Sequence, residues 1–465
     1  MTSLREQALR GGAYLAVRQG ISLFISLGGV LLLTRLIGPA SYGLYAGSLG
    51  IVSVLTLIGR LGINVFLIRC PEPPDQHMYN QATTLLLLSG LALALGGVAL
   101  PPLFAGRLLS PDFVPPLQVM AAVSPIALVT MPALAKLERD LNYRAVALIE
   151  LAGQIAHYTV SLPLAALGAG VWSPVAGHVT WQVLLLVWVY RASGLRPRPT
   201  WSRVLVAEML RFGVGQTTSV GVRRLRDLIN PLVVGHFFGP EGVGYVALAI
   251  RFGEVLSFFR EVSGRVSIAV LAKVQDDYSR LRRGVEEAMT MQVLAVGPFL
   301  CGFSLVATPL VPLLFGARWE PALEVYPFIA LGMLVNTVFN VQASALYALG
   351  RNGDVTLCYL VHVVLFVLGA WIMVPRVGFI GYGLSEVLAL GGYAVLHFRI
   401  SRLFAFSYRE VMPWLVAMIP PLFALHFEPG ARLLFWLPLI VVALLPHQRQ
   451  MIAQYLGYVR TWRLT

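Results

Sequence analysis

Strongly apolar stretches of roughly 20 residues alternate with short polar breaks along the whole chain. Each has the length an α-helix needs to cross about 30 Å of hydrocarbon. Fourteen such stretches centre near residues 24, 54, 90, 123, 156, 181, 224, 254, 302, 336, 364, 388, 418 and 438, the last two short and rich in proline. The pattern predicts an all-α polytopic membrane protein with about 14 transmembrane helices. Residues 273–288, KVQDDYSRLRRGVEEA, interrupt it with mixed charge and predict a cytoplasmic helix or an extension of the eighth and ninth spans.

Composition agrees with the pattern. Of 465 residues, 57% are hydrophobic and 12% charged, with mean hydropathy +0.75, outside the range of soluble globular domains. The first apolar run follows the basic MTSLREQALR and continues from Gly11 to about Leu36. It is longer than a signal-peptide core and lacks a small-residue cleavage site, so it reads as the first span. Cys70, Cys301 and Cys358 lie in or at the end of separate apolar segments, without CxxC or Cys/His ligand spacing. Neither a disulfide framework nor a metal site is expected, and no cofactor.

Lysine and arginine set the orientation. One series of breaks holds Arg5/Arg10, Arg69, Lys136/Arg139/Arg144, Arg191/Arg196/Arg198/Arg203, Lys273/Arg280/Arg282/Arg283, Arg351, Arg399/Arg402/Arg409 and Arg449/Arg460/Arg463. The alternating series holds only Arg35, Arg107, Arg318, Arg376 and Arg432. Positive charge concentrates on the cytoplasmic side, so both termini are expected in the cytoplasm and the number of spans is even. These loops account for much of the formal net charge of +13, and no nucleic-acid partner need be invoked.

The chain repeats internally. Leu9-Arg10-x-Gly12 recurs as Leu210-Arg211-x-Gly213, and Gly38-Pro39-x-x-x-Gly43 recurs as Gly239-Pro240-x-x-x-Gly244. Pro115-x-Leu117 pairs with Pro321-x-Leu323, and Gly168 with Gly378, as loop insertions lengthen the offset. With six spans per copy the repeat is parallel. The expected organisation is a six-helix lobe over 1–190, a cytoplasmic linker at 191–203, a second six-helix lobe over 204–402, and two further helices with a basic tail over 403–465. The GPxxxG elements suit tight turns at the outer face.

Residues 212–266 carry more charge than a spanning segment tolerates without a reason. Arg223, Arg224, Arg226 and Asp227 sit in one stretch, and Arg251, Glu254, Arg260, Glu261 and Arg265 in the next. A charge at bilayer depth costs at least ~2.5 kcal/mol on insertion scales and normally faces a bundle interior or a watery path. At helical spacing, Arg223, Arg226 and Asp227 share one face, as do Arg251, Glu254, Glu261 and Arg265. Arg223/Asp227 and Arg251/Glu254 also fit as neutralising pairs. Arg18 and Arg60 place further arginines in spans one and two, the repeat equivalents of seven and eight. An arginine-lined cavity suits a diphosphate, whose oxygens match the bidentate guanidinium fork. Asp227, Glu254 and Glu261 are the candidate ion-coupling carboxylates. Glu150 and Glu386 are lone carboxylates without a local partner, and Asn64, Asn336, Asn340 and Gln342 are candidate sugar contacts. No GxSxG, HExxH, P-loop or DxD loop motif is present, so no catalytic residue and no ATP-driven step is expected.

Three stretches carry a resemblance: LTRLIGPASYGLYAGSLGIVSVLTLIGRLG at 33–62, LERDLNYRAVALIELAG at 137–153 and LFGARWEPALEVYPFIALG at 314–332. In these the chain resembles the polysaccharide transporter branch of the multidrug/oligosaccharidyl-lipid/polysaccharide exporter superfamily, which includes the Wzx-type O-antigen flippases. The resemblance implies fourteen spans in two lobes plus two, and outward movement of an undecaprenyl-diphosphate-linked oligosaccharide across the bacterial inner membrane by alternating access. It implies a lipid-linked substrate, surrounding membrane lipids, and polymerase and chain-length machinery as candidate partners of a monomer. Related lipid II flippases use cavity arginines in spans one, two and eight. By span position Arg18 and Arg60 match the first two, and Arg251 or Arg260 the third; the span-seven arginines depart from that set. The alternative on the same architecture is a cation-coupled exporter of drugs or metabolites, whose cationic substrates an arginine-lined cavity would repel.

Overall fold

The computed structural model describes residues 4–258 and 277–451. Among them secondary structure is helical, with one isolated bridge between Ala105 and Leu109. Nine helical segments are long and apolar enough to cross a membrane, and 411–426 and 430–444 are shorter apolar helices. The protein is thus a multi-pass membrane protein. Of the fourteen apolar centres, thirteen fall within helices, and Val123 falls at a junction between two. The chain groups into two compact units, Met1–Ala247 and Leu248–Thr465.

The first unit opens with α1 (Leu4–Gly59), two helices joined at Gly38, which adopts φ 78° and ψ 177° ahead of Pro39. Only glycine takes that conformation cheaply, so the corner is built where the sequence puts Gly-Pro. After it come α2 (Ile63–Arg69), α3 (Gln76–Ala99), α4 (Val114–Ala122) and α5 (Ser124–Arg139). Pro125 follows the α4–α5 junction and cannot donate the next backbone bond, which is why the chain breaks at Val123. Next are α6 (Tyr143–Ala166), α7 (Trp172–Ser193), α8 (Arg203–Arg224) and α9 (Gly235–Leu256).

Helix α6 packs against α7 and α1, and α5 packs against α3, α2 and α7. Ile63, Leu67, Leu86, Leu128, Val189 and Met209 form the fully buried centre of this unit. Polar side chains then fix the register. Tyr190 donates to the Val129 carbonyl at 2.9 Å, and Arg139 donates to the carbonyls of Leu67, Ile68 and Glu72 at 2.9, 3.1 and 3.2 Å, closing the end of α2.

The segment after α7 is extended and laid along α3. Gln76 donates to the Arg196 carbonyl, while Asn80, Thr84 and Gln81 accept from the backbone N–H groups of Arg198, Thr200 and Ser202. Its prolines at 197 and 199 leave few donors, and the α3 side chains meet those that remain.

The repeated GPxxxG elements meet each other. Gly239 (φ 65°, ψ −165°) makes the same corner as Gly38, and α9 bends there. A Cβ on Gly43 would collide with the Pro240 carbonyl, and a Cβ on Gly244 with the Pro39 carbonyl, a reciprocal approach of two backbones. A second such approach joins Gly213 to Leu61 and Gly62.

The second unit contains α10 (Tyr278–Phe315), α11 (Ala322–Ala348), α12 (Asn352–Val377), α13 (Phe379–Ala389), α14 (Tyr393–Ser401), α15 (Val411–Phe423) and α16 (Leu437–Leu444). Helix α10 has 38 residues, about 57 Å at 1.5 Å per residue, so its charged start extends the ninth span beyond the hydrocarbon. Prolines 298, 309 and 312 lie inside it, a pattern tolerated in spanning helices because neighbouring groups resatisfy the freed carbonyls. Helix α10 packs on α11 and α15, and α13 on α11 and α12. Tyr326 donates to the Leu300 carbonyl at 2.9 Å. Gln342, fully buried, donates to Tyr408 at 2.9 Å, and the Tyr408 hydroxyl also meets His397 Nδ1 at 2.9 Å. In the loop before α15, burial pushes the Tyr408 phenol up from its ordinary range. Large apolar side chains such as Phe24, Leu95, Leu167 and Leu313 are left exposed, a surface that lipid covers.

Candidate functional site: a charged cavity in the first unit

A cavity of about 410 Å³ opens inside the first unit, between the second half of α1 and α4, α5, α6 and α7. Val52, Ser53 and Thr56 of α1 line it, with Arg60 and Asn64 beyond. Helix α5 supplies Met131 and Glu138, α6 supplies Glu150, and α7 supplies His178, Trp181 and Gln182. Seven of its nineteen lining residues come from two of the stretches that carry the resemblance, 33–62 and 137–153. A concave site with a few convergent polar groups is the default binding site of such a fold.

Arg18 lies in the first half of α1, and Arg60 directly follows its second half. Arg60 lies 22 residues after the corner at Gly38 and Arg18 lies 20 residues before it. The Arg60 side chain makes no hydrogen bond or ion pair among the described residues, and its buried Nε is unpartnered. Arg224 lies within electrostatic reach of it. Arg18 is not part of the lining; its Nη1 lies 2.9 Å from Glu150 Oε2, with the two side chains 24% and 31% exposed.

That ion pair is the first rung of a ladder. Four residues on along both helices, Ser22 and Gln154 exchange two hydrogen bonds, and after four more the Tyr158 hydroxyl reaches the Ser26 carbonyl at 3.5 Å. Gly29 then leaves room for the Tyr158 ring. Rungs advancing together by one turn mean that α1 and α6 run parallel here. Glu150, without a partner in its own stretch of sequence, finds one 132 residues away.

The other expected site residues fall as follows. Arg224 pairs with Asp227 at 3.1 Å, in place of the Arg223–Asp227 pair expected from regular helical spacing. The helix ends at Arg224 and tightens into a 3-10 turn over Leu225–Leu228, which favours a partner three residues away; a π turn over Asn230–Val234 follows. Arg223 is exposed and Arg226 half-buried. In the second unit Arg251 lies 3.2 Å from Glu254, the expected i,i+3 pair. Arg260 and Glu261 lie outside the described residues. Of the sugar candidates, Asn64 lines the cavity, Asn336 bonds Tyr393, Asn340 is half-buried, and Gln342 is a buried brace for Tyr408. Glu386 is 4% exposed and seated against Gly332. Sequence reasoning did not bring Glu138, His178, Trp181 and Gln182 to the site; Glu138 and His178 are polar groups in or beside apolar runs, but nothing local marks them as neighbours.

A family model described as polysaccharide biosynthesis protein matches residues 32–324. The lipopolysaccharide biosynthesis protein WzxC of Escherichia coli (strain K12) is 25% identical over 359 residues, 75% of this chain and 71% of that one. The succinoglycan biosynthesis transport protein ExoT of Rhizobium meliloti (strain 1021) is 24% identical over 304 residues, 65% of this chain and 61% of that protein's length. The fold is also that of a solved lipid II flippase MurJ in an inward closed conformation, with TM-score 0.71 and 14% identity, over 92% of this chain and 96% of that one.

Proposed function

The chain belongs to the polysaccharide biosynthesis protein family, and from that premise we propose that it is a flippase for a polyprenyl-diphosphate-linked oligosaccharide in the bacterial inner membrane. The observation that carries the reading is Arg60, a guanidinium without an ion pair among the described residues, on a cavity whose wall mixes apolar and polar side chains within a membrane lobe. A half-buried guanidinium with an unpartnered Nε calls for an anion, and it suits a diphosphate through its bidentate fork. Relatives named for lipopolysaccharide and succinoglycan biosynthesis support a saccharide as the carried group.

In this reading both termini are cytoplasmic, and the chain works as a monomer of two six-helix lobes, 1–190 and 204–402, bridged at 191–203, with the helices of 403–465 appended. Alternating access of the lobes moves the substrate outward toward polymerase and chain-length machinery. Arg60 holds the diphosphate, with Arg18, Arg223, Arg224 and Arg226 of the same unit in supporting positions, and Arg251 of the second unit is a separate candidate for contact with the substrate. Asp227 and Glu254 each hold one of these arginines when no anion does, at 3.1 and 3.2 Å.

The test is reconstitution in liposomes with a fluorescent undecaprenyl-diphosphate disaccharide. The expected result is protein-dependent translocation of that lipid and none of a cationic dye. Dye transport without lipid translocation would replace the reading by drug export.

A further inference from the structure

We propose that Glu138 is a proton-binding site of the cavity, and that a diphosphate entering beside Arg60 takes up a proton there. The inference rests on the reading of the cavity as a diphosphate site. Four observations lead to it. Glu138 and Glu150 line the same 410 Å³ space, from α5 and α6, and lie within electrostatic reach of each other. Glu150 has Arg18 at 2.9 Å, whereas Glu138 makes no ion pair among the described residues. The bases flanking Glu138 are engaged elsewhere, Lys136 with Asp140 at 2.9 Å and Arg139 with the three carbonyls that end α2. His178, 8% exposed, lines the cavity without a hydrogen bond among the described residues, so the wall offers a buried polar group to an occupant.

Electrostatics gives the sign. Glu138 is the penultimate residue of α5, at the negative end of the helix dipole, which disfavours a carboxylate. The charged and titratable groups that line the cavity with Glu138 are Arg60, Glu150 with its partner Arg18, and His178; Tyr79 and Tyr190 lie on the packed α3 and α7, and Arg69 at the end of the packed α2 is exposed. Arg18 cancels Glu150 and Asp227 cancels Arg224, which leaves Arg60 and Glu138 as one positive and one negative charge. A doubly ionised diphosphate would take that sum to −2 in a lobe that solvates charge poorly. Protonating Glu138 brings it to −1 and removes the one carboxylate of the wall that has no cation of its own among the described residues. Proton and diphosphate therefore bind cooperatively, and by linkage each strengthens the other by the same factor.

The experiment is calorimetry on the purified full chain with a farnesyl-diphosphate hexose, a diester whose phosphates stay doubly ionised throughout. Run in two buffers of different ionisation enthalpy, it counts protons taken up per ligand. The expected result is uptake of up to one proton, binding that tightens by as much as about tenfold per pH unit as pH falls through the Glu138 titration, and loss of both in E138Q. E138Q binds at neutral pH as tightly as the wild-type chain does in acid. Binding without proton uptake, or uptake that persists in E138Q, overturns the inference and leaves the diphosphate site standing. Absence of saturable binding overturns both. If E138Q fails to fold, the same count on H178Q decides: uptake kept there supports Glu138, and uptake lost overturns the inference.

Discussion

Arg18 Nη1 and Glu150 Oε2 lie 2.9 Å apart, and from that contact α1 and α6 run side by side in register through Ser22–Gln154 and Ser26–Tyr158. Removing one charge leaves the other unpaired in a membrane lobe. Glu150→Ala or Arg18→Ala is expected to lower stability by about 1–3 kcal/mol, below the ~3–5 kcal/mol of a fully buried pair because both side chains are partly exposed. The double change to Gln is expected to recover most of that loss, since no orphan charge remains and the lower rungs persist. Thermal melting in detergent checks it; a double variant no better than the worse single one would refute the pairing.

The glycines of the repeat can be ranked before any experiment. Gly43→Ala, Gly244→Ala and Gly213→Ala drive a methyl group into a facing backbone, at an expected cost of about 1–3 kcal/mol or more. Gly28→Ala and Gly221→Ala meet nothing within 4 Å, and in a helix interior are expected to be neutral or stabilising. Equal losses at both groups of positions in a folding and expression series would contradict the backbone contacts.

Much of the fold was legible because spanning helices are written in hydropathy, which is local, and the Gly-Pro corners appear at both repeats as glycines of positive φ. The site was legible only in part. Arg60 stands out as a charge at the end of an apolar run, but the partner of Glu150 lies on another helix that only the packing of α1 on α6 reveals. Regular helical spacing allowed Arg223 and Asp227 to pair, but the 3-10 turn over Leu225–Leu228 brings Arg224 to Asp227. Glu138 stood among Lys136, Arg139 and Asp140 and so looked like part of a solvated break, yet it faces the cavity.

The extended segment 194–202 depends on four side-chain bonds from α3. Each is worth on the order of 0.5–1.5 kcal/mol. Combining Asn80→Ala with Gln81→Leu is expected to release this segment without unfolding the lobe. Proteinase K should then cut within 194–202 several-fold faster than in the wild-type chain. Unchanged protection would mean that other contacts hold it.

Asp227 and Glu254 belong to pairs whose side chains are a third to a half exposed, so neutralising either costs little stability, under ~1 kcal/mol. Asp227→Asn and Glu254→Gln are therefore expected to melt within a few degrees of the wild-type chain. Lipid translocation by each is expected to respond differently to a collapsed proton or sodium gradient than the wild-type rate does. Identical gradient dependence in both variants would exclude these carboxylates from coupling.

The most direct measurement is the initial rate of undecaprenyl-diphosphate disaccharide translocation in liposomes by wild-type, Arg60→Lys and Arg60→Ala proteins at equal reconstituted amounts. If Arg60 holds the diphosphate, the alanine variant loses at least about 99% of the rate, equivalent to ~2.7 kcal/mol. The lysine variant retains an intermediate rate because an ammonium keeps the charge without the fork. Wild-type rates in Arg60→Ala would contradict the account, since the cavity's unpaired cation would then have no part in carrying the substrate.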